Sequence, residues 1–130
     1  MSEFSDYLEN ELLDHLMGKG EYTPPTVYVA LSTADPTDDA SGLSEPSDGY
    51  ARVETEAADW NAASSGSIDN ANDISFPEAS GSWGTITHVA LYDAATNGNM
   101  LGYSALDSSQ AVASGEILKF AAGDLAISLD

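Results

Sequence analysis

Two histidines are the first candidates for chemistry in this chain, because histidine exchanges a proton near neutral pH. His15 lies beside Asp14 in an acidic N-terminal segment, and His88 lies in the stretch "GSWGTITHVALYDA" at 81–94. No Gly-x-Ser-x-Gly nucleophile motif accompanies either histidine. We interpret His15 as a surface residue and His88 as a structural one, and expect a protein that is not an enzyme. A small hydrolase that uses His88 with a nearby acid is the alternative.

Dense carboxylates are the second candidate, because Ca²⁺ prefers oxygen ligands. The chain has 22 acidic residues among 130, so a pair of neighbouring acids carries little information. Neither "DPTDDASG" at 35–42 nor "DNANDI" at 69–74 has the spacing of a calcium loop. We favour solvated acidic loops, with loosely bound cations as the alternative. The weak candidate ligands are Asp35, Asp38, Asp39, Asp69 and Asp73.

Other cofactors have no motif in this sequence. It contains no cysteine, no His-x-x-x-His pair and no glycine-rich phosphate loop. We therefore expect no disulfide, no zinc and no bound cofactor.

The charge balance excludes whole classes of partner. Only Lys19, Arg52 and Lys119 oppose the acids, which gives a formal net charge of −19. Binding to nucleic acid or to an anionic membrane requires a basic surface, so we expect neither partner. Such an acidic chain is typical of proteins that work at high salt, where charge repulsion is screened over about 3 Å at 1 M. We expect a halophilic source.

An amphipathic helix is predicted over residues 4–17, as a unit 1–20 ahead of a β domain at 21–130 within a single domain overall. Ser5 is a suitable N-cap, and Gly18 and Gly20 end the helix. The helix either covers one end of a sheet or docks into a neighbouring subunit, and periodicity does not separate the two. Its apolar stripe comprises Phe4, Leu8, Leu12, Leu13, Leu16 and Met17.

Short alternating segments follow, separated by polar loops at 34–49 and 61–73. An Asn-Gly turn predicts that 86–93 and 100–106 form an antiparallel hairpin. The residues after 109 contribute at most three further short strands. We therefore predict a mainly β fold. Its architecture would be an antiparallel β-sandwich or barrel of about seven or eight short strands with one N-terminal helix. The other predicted strands are 26–33, 50–56 and 74–79.

The stretch between Glu78 and Asp93 contains no charged residue. In so acidic a chain, a strand without charge on either face is expected to be buried on both. It is either the central strand of the domain or an interface between copies, and the two interpretations are compatible. We predict an interface that also uses the helix and comprises Leu8, Leu12, Leu16, Trp83, Ile86, Val89, Leu91 and Tyr92.

Two aromatic residues near the polar loops, Tyr50 and Trp60, could recognise a host surface glycan if they are exposed. For both residues we favour burial in the core. A sugar-binding module is nevertheless a second class of function for a β domain, although the fold alone does not argue for it.

Several motifs together resemble a family of small virion proteins known as phage tail fibre-like proteins. They are the helix that ends in Gly-Lys, "PTVYVAL" at 25–31, "GYARV" at 49–53, "WGTITH" at 83–88 and "GDL" at 123–125. The resemblance covers nearly the whole chain and implies a structural component of a tailed virus. Its unusual acidity indicates a virus of a halophilic archaeon.

The resemblance and the residues together predict a non-enzymatic structural protein exposed on the virion and assembled in the host cytoplasm. We expect copies of the chain to associate with one another and with major capsid or tail proteins. A decoration or turret on the capsid and a position on the tail are both open. The alternative is a tail-fibre knob or carbohydrate-binding module for host attachment.

Overall fold

The computed structural model describes residues 2–128. Its single α-helix, α1, spans Asp6–Leu16, and a 3₁₀ turn spans Ala57–Asp59. The strands are β1 (Ser2–Phe4), β2 (Tyr28–Ser32), β3 (Val53–Glu54), β4 (Ser67–Asp69), β5 (Ile74–Ser75), β6 (Gly84–Tyr92), β7 (Met100–Val112), β8 (Lys119–Phe120) and β9 (Ala126–Ser128).

A five-stranded antiparallel sheet with the order β1-β7-β6-β2-β3 forms the centre of the molecule. The predicted hairpin is confirmed as β6 and β7. Its turn contains Asn97 and Gly98, whose φ angles of 53° and 73° are those that an Asn-Gly turn favours. β6 pairs with β7 on one side and with β2 on the other, so the charge-free stretch contains the central strand.

One face of this sheet is covered by two short ribbons, β4–β9 and β5–β8. Apolar residues of β2 and β6 meet Ile74, Phe76 and Leu118 there, in what we call the ribbon-side core. Its buried members are Val29, Leu31, Ile74, Phe76, Ala79, Trp83, Ile86, Val89, Val112, Leu118 and Leu125.

The opposite face carries a smaller loop-side core. Its buried members are Ala30, Ala90, Tyr92 and Met100, and Ala40 and Leu43 of the acidic loop 34–49 are among the residues packed on it. The small alanine side chains let the loop approach the sheet closely.

A large bulge interrupts the β6–β7 pairing. Ile86 pairs with Gln110 and His88 with Ala105, so four residues of β7, 106–109, lie opposite Thr87 alone. Residues three apart in a regular strand face opposite sides, but here Ile86 and Val89 enter the same core.

The mainly β fold with one N-terminal helix is confirmed, but several predicted bounds are wrong. Segments 50–56 and 74–79 contribute only two strand residues each, β4 lies inside the predicted loop 61–73, and β7 is nearly twice as long as predicted. Nine strands occur within residues 2–128, and ribbons rather than a second full sheet form the second layer. No helix in this part of the chain is long and apolar enough to cross a membrane.

Candidate functional site

The helix presents an apolar surface to solvent. Leu8 is buried near the sheet, but the side of α1 toward its C-terminal end is not covered by the described residues. Leu12 is 36 % exposed, Leu13 56 %, Leu16 73 % and Met17 68 %. We call these four residues the helix apolar face. Of the five large hydrophobic residues exposed in the described chain, four belong to it and the fifth is Ile117.

The strand residues predicted to form an interface lie inside the protein instead. Trp83, Ile86 and Val89 belong to the ribbon-side core, and Tyr92 belongs to the loop-side core. Leu91 is half-buried against the ribbon-side core. A second copy that docks on this conformation would meet Leu12 and Leu16 but not these strand side chains. The structure therefore separates the predicted set into core residues and a helical surface.

The position of the helix is fixed at its N-terminal end. Ser5 Oγ accepts a hydrogen bond from the Leu8 N–H at 3.1 Å and donates to the Met100 carbonyl, while the Ser5 N–H donates to the Leu101 carbonyl at 3.0 Å. Ser5 is thus the predicted N-cap and also joins α1 to β7. The described helix projects from this attachment with its apolar face outward.

The C-terminal end of the helix is closed by local contacts. Gly18 has a φ of 75°, and the Lys19 N–H donates to the Asp14 carbonyl at 2.7 Å. His15 is exposed, and its Nδ1 accepts a hydrogen bond from the Tyr22 N–H at 3.1 Å. His15 therefore has a structural role in addition to its predicted surface position.

Arg52, the only arginine, organises the loop side of the sheet. Its guanidinium makes two hydrogen bonds to the Glu45 carboxylate, at 2.8 and 2.9 Å, and lies 3.8 Å from the centre of the Tyr92 ring. It also donates to the carbonyls of Ala94 and Asn97, each at 2.9 Å. One side chain thus joins the acidic loop, the sheet and the β6–β7 turn.

The surroundings of Arg52 change the acidity of its neighbours. Partial burial raises the pKa of Glu45, but hydrogen bonds from Arg52 and Tyr50 and the positive charge of Arg52 outweigh it and leave this pKa below the ordinary value. Burial also raises the pKa of Tyr50, whose hydroxyl donates to Glu45 at 2.7 Å. No sequence motif indicates this network; its one signal is a lone arginine in a chain almost free of cations.

The cation candidates are dispersed and already accept hydrogen bonds. Asp35 accepts from the Thr37 N–H at 2.9 Å, Asp38 from the Tyr103 hydroxyl at 2.5 Å and Asp69 from Asn61 at 2.8 Å. Hydrogen bonds from Ser41 and Thr37 lower the pKa of Asp39 to about 2.

The fifth candidate, Asp73, accepts from the Ala122 N–H at 3.0 Å and lies 3.6 Å from the Lys119 ammonium. Within residues 2–128, no group of three or more acidic or histidine side chains is placed to hold a metal ion.

The remaining candidates hydrogen-bond or pack within the fold. His88 Nδ1 is 2.8 Å from the Thr87 hydroxyl, the only hydrogen-bond partner that the described residues give its side chain. Tyr50 packs edge-on against Trp83 with ring centres 5.5 Å apart, and the indole N–H of Trp60 donates to Thr55 at 3.0 Å. Both aromatic residues suggested for glycan recognition pack against the ribbon-side core.

Comparison with known proteins supplies the family. No curated protein matches the chain. The family model described as podophage GP4 fiber I protein gp80 matches residues 3–128, which is nearly the whole sequence and agrees with the resemblance to tail fibre-like proteins. The chain belongs to the podophage GP4 fiber I protein gp80 family, and is therefore a structural virion protein of the tail-fibre type.

Proposed function

We propose that this chain is a subunit of a viral tail fibre and that its copies associate through the helix apolar face. Membership of a fibre protein family supports a position in the tail fibre, whereas the capsid decoration and turret alternatives have no comparable support. The observation that carries the self-association is the exposure of Leu12, Leu13 and Leu16 on α1 and of Met17 at its C-cap.

The charge of the chain is compatible with a second copy at this surface, because the contact itself would be apolar. Two chains with a net charge of −19 repel each other over most of their surfaces. An apolar patch that meets the identical patch of another copy needs no opposite charge from it, and closed symmetry requires such self-complementary or repeated contacts. The only nearby lysine, Lys19, follows the helix and reduces the repulsion there.

Light scattering coupled to size exclusion tests this assembly. At about 2 M salt, where repulsion between chains is screened, we expect the wild type to exceed the mass of one chain, 13.5 kDa. The double variant Leu16→Gln, Met17→Gln should run as a single chain, because it removes the two most exposed apolar side chains of the patch.

Ile117→Gln is the matched control. Ile117 is 59 % exposed, between the values of Leu13 and Met17, but it lies outside the helix. This variant should keep the wild-type mass. A wild type that runs as a single chain, or a helix variant that assembles normally, would contradict self-association through this surface.

Immunogold labelling of purified virus particles tests the place of the protein on the virion. We expect label at the tail. Label spread over the head would instead support the capsid decoration or turret alternatives.

A further inference from the structure

A groove of about 700 Å³ runs between the bulge of β7 and the segment that contains β8 and β9. Bulge residues 106–108 and Gln110 form one wall, and residues 117–120, 124–126 and Ser128 contribute the other. The volume is in the range of pockets that hold small molecules, about 300–1,000 Å³. Neither the helix apolar face nor the Arg52 network contributes to it.

The base of the groove is apolar. Leu118 and Leu125 are buried members of the ribbon-side core, and the half-buried Phe120 ring also lines the groove. Phe120 packs edge-on against Phe76, with ring centres 6.3 Å apart, so the core supports the ring. A supported aromatic ring offers a flat apolar surface to a ligand.

The rim is polar and has free hydrogen-bonding capacity. No described residue donates a hydrogen bond to the carboxylates of Asp107 and Asp124, and both residues are exposed. The Gln110 side-chain amide makes one long contact, 3.4 Å, to the Ser108 carbonyl. These groups can accept hydrogen bonds from hydroxyl groups, and Gln110 can also donate one.

Charge restricts the class of ligand. The groove holds two carboxylates against the single ammonium of Lys119, which already lies 3.6 Å from Asp73. Phosphate, sulfate and acidic sugars would be repelled by this rim and by the net charge of the chain. A purely apolar ligand would remove water from the carboxylates without replacing their hydrogen bonds.

We propose that this groove binds an uncharged oligosaccharide. Sugar hydroxyls would donate to Asp107 and Asp124, Gln110 would contact a further hydroxyl, and the apolar face of one ring would lie on Phe120. The proposal is independent of self-association through the helix, because the two surfaces share no residue.

Titration of the ¹⁵N-labelled full chain, followed by NMR, tests the proposal. The probes are hexasaccharides of glucose, galactose, mannose and N-acetylglucosamine, with sialyllactose as the anionic probe. We expect saturable shifts at residues 105–110 and 117–125 with at least one neutral probe, at a Kd of about 1 mM or lower, and none with sialyllactose. No saturable shift with any neutral probe, or shifts only outside the groove, would overturn it.

Groove variants separate specific binding from weak contact. Asp124→Ala and Gln110→Ala should each weaken binding by about tenfold, since each loses a hydrogen bond to the ligand. Glu9→Gln, which changes an exposed carboxylate on the helix, is the control and should bind as the wild type does. The helix variant Leu16→Gln, Met17→Gln should also bind normally, which distinguishes failure of this proposal from failure of the assembly. Binding that survives both groove substitutions would overturn the assignment.

Discussion

On the ribbon side of the central sheet, Val29, Leu31 and Ile86 are fully buried beneath apolar side chains. On the loop side, Ala30 and Ala90 lie in a small core beside a network that depends on Arg52. The ribbon side is therefore closed by many apolar contacts, and the loop side by a smaller apolar core together with one side chain that has several roles. One of the three cationic side chains, Arg52, is buried beside the acidic loop 34–49 and holds that loop on the sheet.

The largest loss of stability should come from a substitution in the ribbon-side core. Ile86→Ala removes a fully buried side chain and leaves a cavity, so we expect it to lower the free energy of unfolding by about 4 kcal/mol. Chemical denaturation measures the change. A loss below about 1 kcal/mol would show that this core is loosely packed and would weaken the contrast between the two faces.

The second largest loss of stability should come from removing Arg52. Arg52→Met leaves the partly buried Glu45 carboxylate with the Tyr50 hydroxyl but no positive charge, and leaves two turn carbonyls without their donor. We expect a loss of about 3 kcal/mol by the same measurement. Glu45→Met combined with Arg52→Met should recover part of the loss, because no unpaired charge then remains. Equal losses in the single and double variants would mean that the contacts of Arg52 with the turn and Tyr92 dominate.

The pH dependence of stability sharpens the same contrast. The pKa of Glu45 is lower in the folded protein than in the unfolded chain, so its contribution is present above the ordinary carboxylate pKa and is lost as the pH falls through the folded value. The stability difference between wild type and Glu45→Gln should therefore shrink between about pH 7 and about pH 3. The difference between wild type and Ile86→Ala should change less, and an equal change in both pairs would contradict this assignment.

The smallest effect concerns the charge of the acidic loop. Five of its residues carry carboxylates: Asp35, Asp38, Asp39, Glu45 and Asp48. Screening their repulsion should raise the melting temperature by about 5 °C between about 0.1 and about 3 M salt. A melting temperature that is the same at low and at high salt would contradict the prediction of a high-salt source.

Local patterns predicted the helix and the β6–β7 hairpin, because a capped apolar stripe and an Asn-Gly turn act over a few residues. The ribbons were not predictable in this way. β4 and β9 pair across about sixty residues, for example Ser67 with Ser128, and each strand has only three residues. Strands this short carry too little alternation to be distinguished from loop.

The candidate site was predicted only in part. Ile86 and Leu16 are both apolar residues in regular elements, and their sequence pattern does not tell which faces the core. The structure distinguishes them, since Ile86 is fully buried and Leu16 is 73 % exposed. The groove was not predicted because its walls come from the bulge of β7 and from the last strands. Only tertiary pairing brings these two segments together.

The pairing of β1 with β7 has a consequence for the order in which the chain folds during synthesis. Ser2 pairs with Ser104, so β1 leaves the ribosome about a hundred residues before its partner strand exists. The β6–β7 hairpin forms from neighbouring residues and supplies the edge on which β1 closes. Until then the helix that follows β1 has no fixed position, so attachment of the N-terminal segment is a late folding step and depends on completion of β7.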